Sequence, residues 1–158
     1  MEYVRKLDVL DIEQMVLLRI ELQDYDLKYV KNKELIGDKD DLILQTKRYL
    51  ESHLNKNLFM FGYFVGDELV ANCGFYLDEH FPTYVNLNGY RGYICNVYTK
   101  EKYRGRGYQR KTFNECLNFA KKQEIISFSL SSKNEDAINM YKSFGFRPAN
   151  GIYHFFTN

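Results

Sequence analysis

The chain is 158 residues long, 45% hydrophobic and 27% charged, with a formal net charge of +1. This is the size and balance of a single domain spanning residues 1–158, and the near-neutral charge excludes a protein-wide field for nucleic acid or an anionic membrane, so any anion site has to be local. Cys73, Cys95 and Cys116 show neither disulfide nor metal-ligand spacing, the first residues lack an apolar signal core, and no run is apolar enough to span a bilayer, which together predict a soluble cytoplasmic protein without a metal site.

Residues 3–7 read as a short first strand, and Asp11 opens a helical pattern carried by Ile12, Met15, Val16, Arg19 and Leu22. Residues 24–37 read as a tyrosine-bearing loop, after which Asp38 or Asp40 caps a second helix through Leu42, Thr46, Tyr49, Leu50 and Leu54. Residues 58–65 and 69–77 are rich in aromatic and aliphatic side chains, and Gly66-Asp67 between them supplies hairpin-turn chemistry. Residues 78–91 contain Pro82, Asn86, Asn88 and Gly89 and read mainly as loop, with room for a brief pairing at 84–87. A strand at 92–99, a helix at 107–123 with Phe113, Cys116, Leu117 and Ala120 on its buried face, and a strand at 125–130 then imply a right-handed parallel crossover. Asn134 caps a last helix carrying Ala137, Ile138 and Tyr141 that ends near Gly145, and residues 152–157 look like a closing strand. Hairpin first and crossover later, the order specifies an α/β (α+β) fold with a mixed central sheet flanked by helices.

The turn YRGRGYQ, residues 103–109, carries charge of the wrong sign for an ordinary helix start. A helix N-terminus favours carboxylates, yet Arg104, Arg106, Arg110 and Lys111 crowd this one, with no acid before Glu115. Free N–H groups approached closely through Gly105 and Gly107 form a concavity for phosphate, to which the arginines add charge-assisted hydrogen bonds. The expected ligand is a phosphate-bearing cofactor.

The run VYTKEKYRGRGYQRKTF at 97–113, followed by SKNEDAINMYKSFGF at 132–146, resembles the GNAT superfamily of acyl-CoA-dependent N-acyltransferases. The resemblance implies a GNAT-like sheet and a coenzyme A diphosphate held by Arg104, Gly105, Arg106, Gly107, Tyr108 and Gln109. Within this turn, Arg104, Gly107 and Gln109 take the defining positions of a Q/R-x-x-G-x-G/A loop. Gln109 departs from the usual Gly or Ala, so its side chain would either crowd the phosphate or donate to it. The resemblance further implies that main-chain groups of Val97 and Thr99 hold the pantetheine arm and the thioester carbonyl, where a bulged strand can offer an N–H to developing oxyanion charge. Asn134, Ala137, Tyr141, Gly145 and Phe146 match the family's C-terminal helix signature. Asn134 then caps that helix and can also touch the pantetheine amides, while Tyr141 is either the acid for the departing thiolate or a core ring. A phenol with a reference pKa of about 10 keeps its proton at neutral pH, whereas a thiol near about 8.5 leaves as an anion that needs one.

The expectation is transfer of an acetyl group from acetyl-CoA to a primary amine, by direct attack in a ternary complex. The acceptor is a small-molecule or peptide amine; a homodimer is compatible, and no nucleic-acid or membrane partner is expected. The alternatives are a non-catalytic acyl-CoA-binding regulatory module and a nucleic-acid surface built on Lys100, Lys102, Arg104, Arg106, Arg110 and Lys111. No base is named: strand 92–99 lacks a carboxylate, and its Asn96, which by alternation shares a face with Ile94 and Tyr98, either orders a water or satisfies a buried bond. Asp78, Glu79 and His80 reach the acceptor or form a solvated loop. Cys95 is a small buried hydrophobe or, less in keeping with its apolar strand, a covalent carrier. Asp24, Asp26 and Glu34, with the nearby tyrosines, hint at a cationic acceptor or, more simply, belong to a solvated helix–helix loop.

Overall fold

The computed structural model describes residues 1–149. Its elements are β1 (Glu2–Lys6), α1 (Ile12–Asp26), α2 (Lys39–His53), β2 (Leu58–Val65), β3 (Glu68–Glu79), β4 (Tyr90–Thr99), α3 (Tyr108–Lys122), β5 (Ser127–Ser129) and α4 (Glu135–Ser143). The strands make one sheet in the order β1-β2-β3-β4-β5, antiparallel as far as β4, with β5 parallel to β4. That parallel pair follows from chain order, since β4 and β5 are joined through α3 rather than a tight turn. The predicted strand at 152–157 lies outside the described residues.

Alternation along β2 assigns the helices to the two faces of the sheet. Leu58, Met60 and Phe64 bury with Met15, Val16 and Leu50 of α1 and α2. Phe59 and Phe61 turn the other way and pack with Phe113, Cys116 and Tyr141 of α3 and α4. The second core is largely aromatic: the Phe113 ring lies 5.5 Å from Tyr141 and 4.9 Å from Phe144. A fully buried ring of this kind contributes about 2–3 kcal/mol relative to exposure.

Helix ends are set by local polar chemistry. The Asp11 carboxylate takes both Arg5 guanidinium nitrogens, at 2.7 and 2.8 Å, and the Asp8 N–H at 2.9 Å, tying the start of α1 to β1. Asp38, rather than Asp40, caps α2 by accepting from the Asp41 N–H at 3.0 Å. At the end of α4, Gly145 takes φ +101°. Its N–H donates to Lys142 O and that of Phe146 to Tyr141 O, which is a Schellman closure requiring the left-handed residue.

Three boundaries differ from the sequence reading. The helix predicted to end before residue 24 continues to Asp26, and the segment read as loop contains short 3-10 turns at Leu27–Tyr29 and Lys33–Leu35. The polar residues there complete helical turns through backbone bonds that apolar periodicity cannot register. The β3–β4 ladder also runs on through Asp78↔Arg91 and Glu79↔Tyr90, where hydrogen bonding persists after the buried face of β3 has ended. Conversely β5 is only 3 residues long, because its neighbour turns away.

Candidate active site

That divergence begins within β4. Asn72 pairs with Tyr98 and Gly74 with Cys95, so Asn96 and Val97 both stand opposite Cys73. Asn96 absorbs the extra residue at φ +52°, a left-handed conformation that Asn tolerates better than most side chains. The bulge resets the parity of the strand: Ile94 packs on the α3 side and Tyr98 on the α1 side. The expectation that Asn96 shares one face with both is therefore corrected. Asn96 turns toward α1, and its Oδ1 accepts from Arg19 Nη1 at 3.2 Å. Pairing between β4 and β5 is confined to Arg91↔Ser127, Gly92↔Phe128 and Tyr93↔Ser129. Past these pairs the strands part, and a cleft of about 920 Å³ opens between them.

At one end of this cleft is the basic turn. Gly105 and Gly107 take φ +75° and +77°, Gly107 as the N-cap of α3. A Cβ at either position would meet no protein atom within 4 Å, so each glycine serves its left-handed backbone and leaves the space in front of it open. Among the described residues, the main-chain N–H groups from Gly105 through Arg110 find no protein acceptor, and the first turn of α3 contains no acid. Unpaired donors at a helix start, under positive dipole potential, form a site for anionic oxygens.

Arg104 folds back so that its Nε donates to Thr99 O at 3.0 Å, and its guanidinium lies 5.2 Å from the Tyr25 ring. Gln109 does not project toward the turn. Its Oε1 accepts from Thr99 Oγ1 at 2.9 Å, and its Nε2 donates to Asn72 O at 3.2 Å, so both polar ends are used by the sheet. Tyr108 is likewise turned inward: its ring stacks on Tyr63 at 4.2 Å and its hydroxyl donates to Glu2 at 2.6 Å. From these two residues only the main chain faces the turn. Arg106 alone among the predicted cofactor residues lies outside the cleft lining, held beside Lys102 O and the Tyr103 ring.

The opposite wall belongs to α4. Asn134 caps it, its Oδ1 accepting from the Ala137 N–H at 3.0 Å, while its Nδ2 donates across the cleft to the Tyr25 hydroxyl at 3.1 Å. Tyr141 is 6% exposed and lines the cleft. Its hydroxyl makes no hydrogen bond among the described residues. Burial pushes the phenol above its ordinary value of 10, with the nearby Cys73 adding to the shift, so it stays protonated. Val97 and Thr99 line the same space beneath the bulge.

A second cavity of about 540 Å³ lies between α1, α2 and the sheet and meets the cleft at Arg19, Tyr76, Cys95 and Asn96. Sequence reading did not single it out, because its walls come from separate elements with no common motif. Burial raises the Cys95 thiol to about 12, which keeps it protonated and unsuited to carry an acyl group. The acids thought to hint at a cationic acceptor do not converge: Asp24 pairs with Lys39 at 2.8 Å on the surface, Glu34 is exposed, and only Asp26 reaches the cleft. Asp78, Glu79 and His80 are exposed and line neither cavity.

A sequence model of the acetyltransferase (GNAT) family matches residues 21–146. Among solved structures, the fold is similar to a predicted acetyltransferase of Clostridium acetobutylicum solved with acetyl-CoA, at 26% identity and TM-score 0.81, covering 98% of this chain and 96% of that one. It is also similar to a GCN5-related N-acetyltransferase of Ralstonia eutropha JMP134, at 20% identity and TM-score 0.76 with 99% of each chain covered. An aminoglycoside acetyltransferase from an uncultured soil metagenomic sample, crystallised with trehalose, shares the fold at 15% identity and TM-score 0.68, covering 99% and 95%. No curated protein matches the sequence significantly. The match spans most of the chain, and the chain belongs to the acetyltransferase (GNAT) family.

Proposed function

We propose that the protein transfers the acetyl group of acetyl-CoA directly to a primary amine. The observation that carries this is the convergence, on one cleft, of Gly105 and residues 107–110, whose N–H groups have no acceptor among the described residues, the bulge at Asn96 and Val97, and Tyr141. The turn fits a diphosphate: it offers donors without acceptors among the described residues, no acid in the first helical turn, and glycines that leave space for oxygens. Arg104 and Arg110, both on the cleft, add positive charge at its rim. Bound acetyl-CoA supplies an activated acyl thioester.

The chain's own part is positioning and charge stabilisation. Val97, lifted out of ladder register by the bulge, presents main-chain groups to the acyl oxygen, where a preorganised donor stabilises growing negative charge. Tyr141 donates a hydrogen bond to the departing sulfur. From reference values, full transfer from a phenol to a thiolate is uphill by about 1.5 pKa units, roughly 2 kcal/mol, and burial of Tyr141 adds to this. The phenol is therefore not left ionised: the C–S bond breaks as the C–N bond forms, and the proton that the nitrogen sheds in becoming an amide is, in net, the one the sulfur gains. The amine enters from the second cavity, past Asn96 and Tyr76.

The test is thiol release from acetyl-CoA across a broad amine panel, together with calorimetric CoA binding. Amine-dependent release, abolished by Gly107→Val through loss of CoA binding, supports the reading. Saturable CoA binding with no transfer to any amine overturns it in favour of a binding module.

A further inference from the structure

The second cavity is not equipped to receive a polycation. Arg19 and Arg48 line it, and no Asp, Glu or His does. Among the described residues neither guanidinium pairs with a carboxylate within 4 Å. Asp26 lies across the junction on the cleft side, close enough to Arg19 to feel its charge but outside the cavity. The floor is apolar, formed by Met15, Leu50, Leu58 and Met60, each 6% exposed or less.

The two chemistries are ordered in space. Arg19 sits where the cavity meets the cleft, oriented by its bond to Asn96 beside the bulge, and the apolar floor lies further in. A guanidinium has five N–H donors, and Arg19 places only one on the protein among the described residues. Resting on the acetyl-transfer reading above, we infer that the acceptor is a free α-amino acid with an apolar side chain. Its carboxylate pairs with Arg19, its amine on the adjacent carbon reaches the bulge, and its side chain fills the floor. A cavity of about 540 Å³ accommodates a side chain up to aromatic size. The Arg19 guanidinium beside the bulge disfavours a second positive charge there, which suits a nucleophile that must attack neutral. A peptide N-terminus, whose α-carboxylate has become an amide, would leave Arg19 without its charge partner.

The experiment compares acetyl transfer to leucine and phenylalanine, to leucinamide and phenylalaninamide, to a dipeptide, and to kanamycin and spermidine, with phenylalanine binding to the CoA-saturated protein measured by calorimetry. The free amino acids should exceed their amides in kcat/KM by about 10- to 100-fold, the range of a charge-assisted pair. Arg19→Gln should erase that preference and Arg19→Lys retain part of it, with acetyl-CoA affinity checked separately for each variant. Transfer to kanamycin, the amides or the dipeptide as fast as to the amino acids overturns this inference and leaves acetyl transfer standing. Transfer to no amine overturns both.

Discussion

Gln109 gives the sharpest test of how the turn is built, because the family pattern and the structure assign its side chain opposite places. If the amide faced the diphosphate, truncating it would weaken CoA binding. In the structure it instead spans the first turn of α3 and the bulged region of the sheet, bonded to Thr99 Oγ1 at 2.9 Å and Asn72 O at 3.2 Å. Each neutral hydrogen bond contributes about 1 kcal/mol net, and Ala regains a few tenths in helix propensity, so Gln109→Ala should cost about 1–2 kcal/mol. For a domain of this length that corresponds to a fall in Tm of about 3–6 °C, read by scanning calorimetry on the unliganded protein. The CoA dissociation constant should move by less than about threefold, since no phosphate donor is lost. Asn72 is the last residue in register before the bulge, so the loosened contact should appear as a lower kcat at unchanged acetyl-CoA affinity. A variant with parental Tm and at least tenfold weaker CoA binding would refute the inward placement and return Gln109 to the phosphate.

Three further outcomes follow from the same geometry. Gly107→Val places a β-branched residue at φ +77° and its side chain in the open space before the helix. It should cost about 1–2 kcal/mol of stability and raise the CoA dissociation constant at least tenfold by titration calorimetry. Tyr141→Phe removes a hydroxyl that has no hydrogen-bond partner among the described residues, so its Tm should stay near that of the parent while kcat falls about 100-fold or more; equal losses in both would mark Tyr141 as a packing residue. Glu68 accepts from Lys100 at 2.9 Å, Tyr103 at 2.7 Å and Lys102 at 3.3 Å, and these partners, Lys100 foremost, hold its carboxyl down from 4.5 to about 2. A depressed native pKa stabilises fully above about pH 5 and is lost as pH falls toward 2. Urea midpoints followed over that window should drop in the parent and flatten in Glu68→Gln, and parallel curves would show that the cluster adds nothing.

What could be read beforehand divides along backbone and side chain. The turn at 103–109 was legible because its backbone takes left-handed φ at Gly105 and Gly107, and left-handed φ leaves a mark in composition. The hairpin and the α3 face were legible because burial on one side writes a period into the sequence. The bulge was not. Alternation assumes one residue per partner, and at Asn96 and Val97 that assumption fails, so Asn96 and Tyr98 were grouped with Ile94 although they lie on the α1 side. The available signal was Asn96 itself, a polar residue tolerant of positive φ in the middle of an apolar strand, read as a hydrogen-bonding side chain rather than as a backbone device.

The acceptor cavity was invisible for a related reason. The phosphate end of the cleft is built mainly by consecutive main-chain groups, so a short motif specifies it. The acceptor end is built by side chains from α1, α2, β2, β3 and β4, each of which looks, in its own segment, like ordinary helix or strand. Met15 and Leu50 satisfy helical burial, Met60 satisfies strand alternation, and Arg19 sits on the same stripe as Met15 and Leu22. Only when β4 bulges beside α1 does that stripe arginine find Asn96 at 3.2 Å and become the charged mouth of an apolar cavity. On the proposed reading, the family's shared chemistry is carried by local sequence, and the choice of amine by long-range packing. Substituting Arg19 should accordingly change which amine is used, whereas substituting Gly107 should stop the use of any.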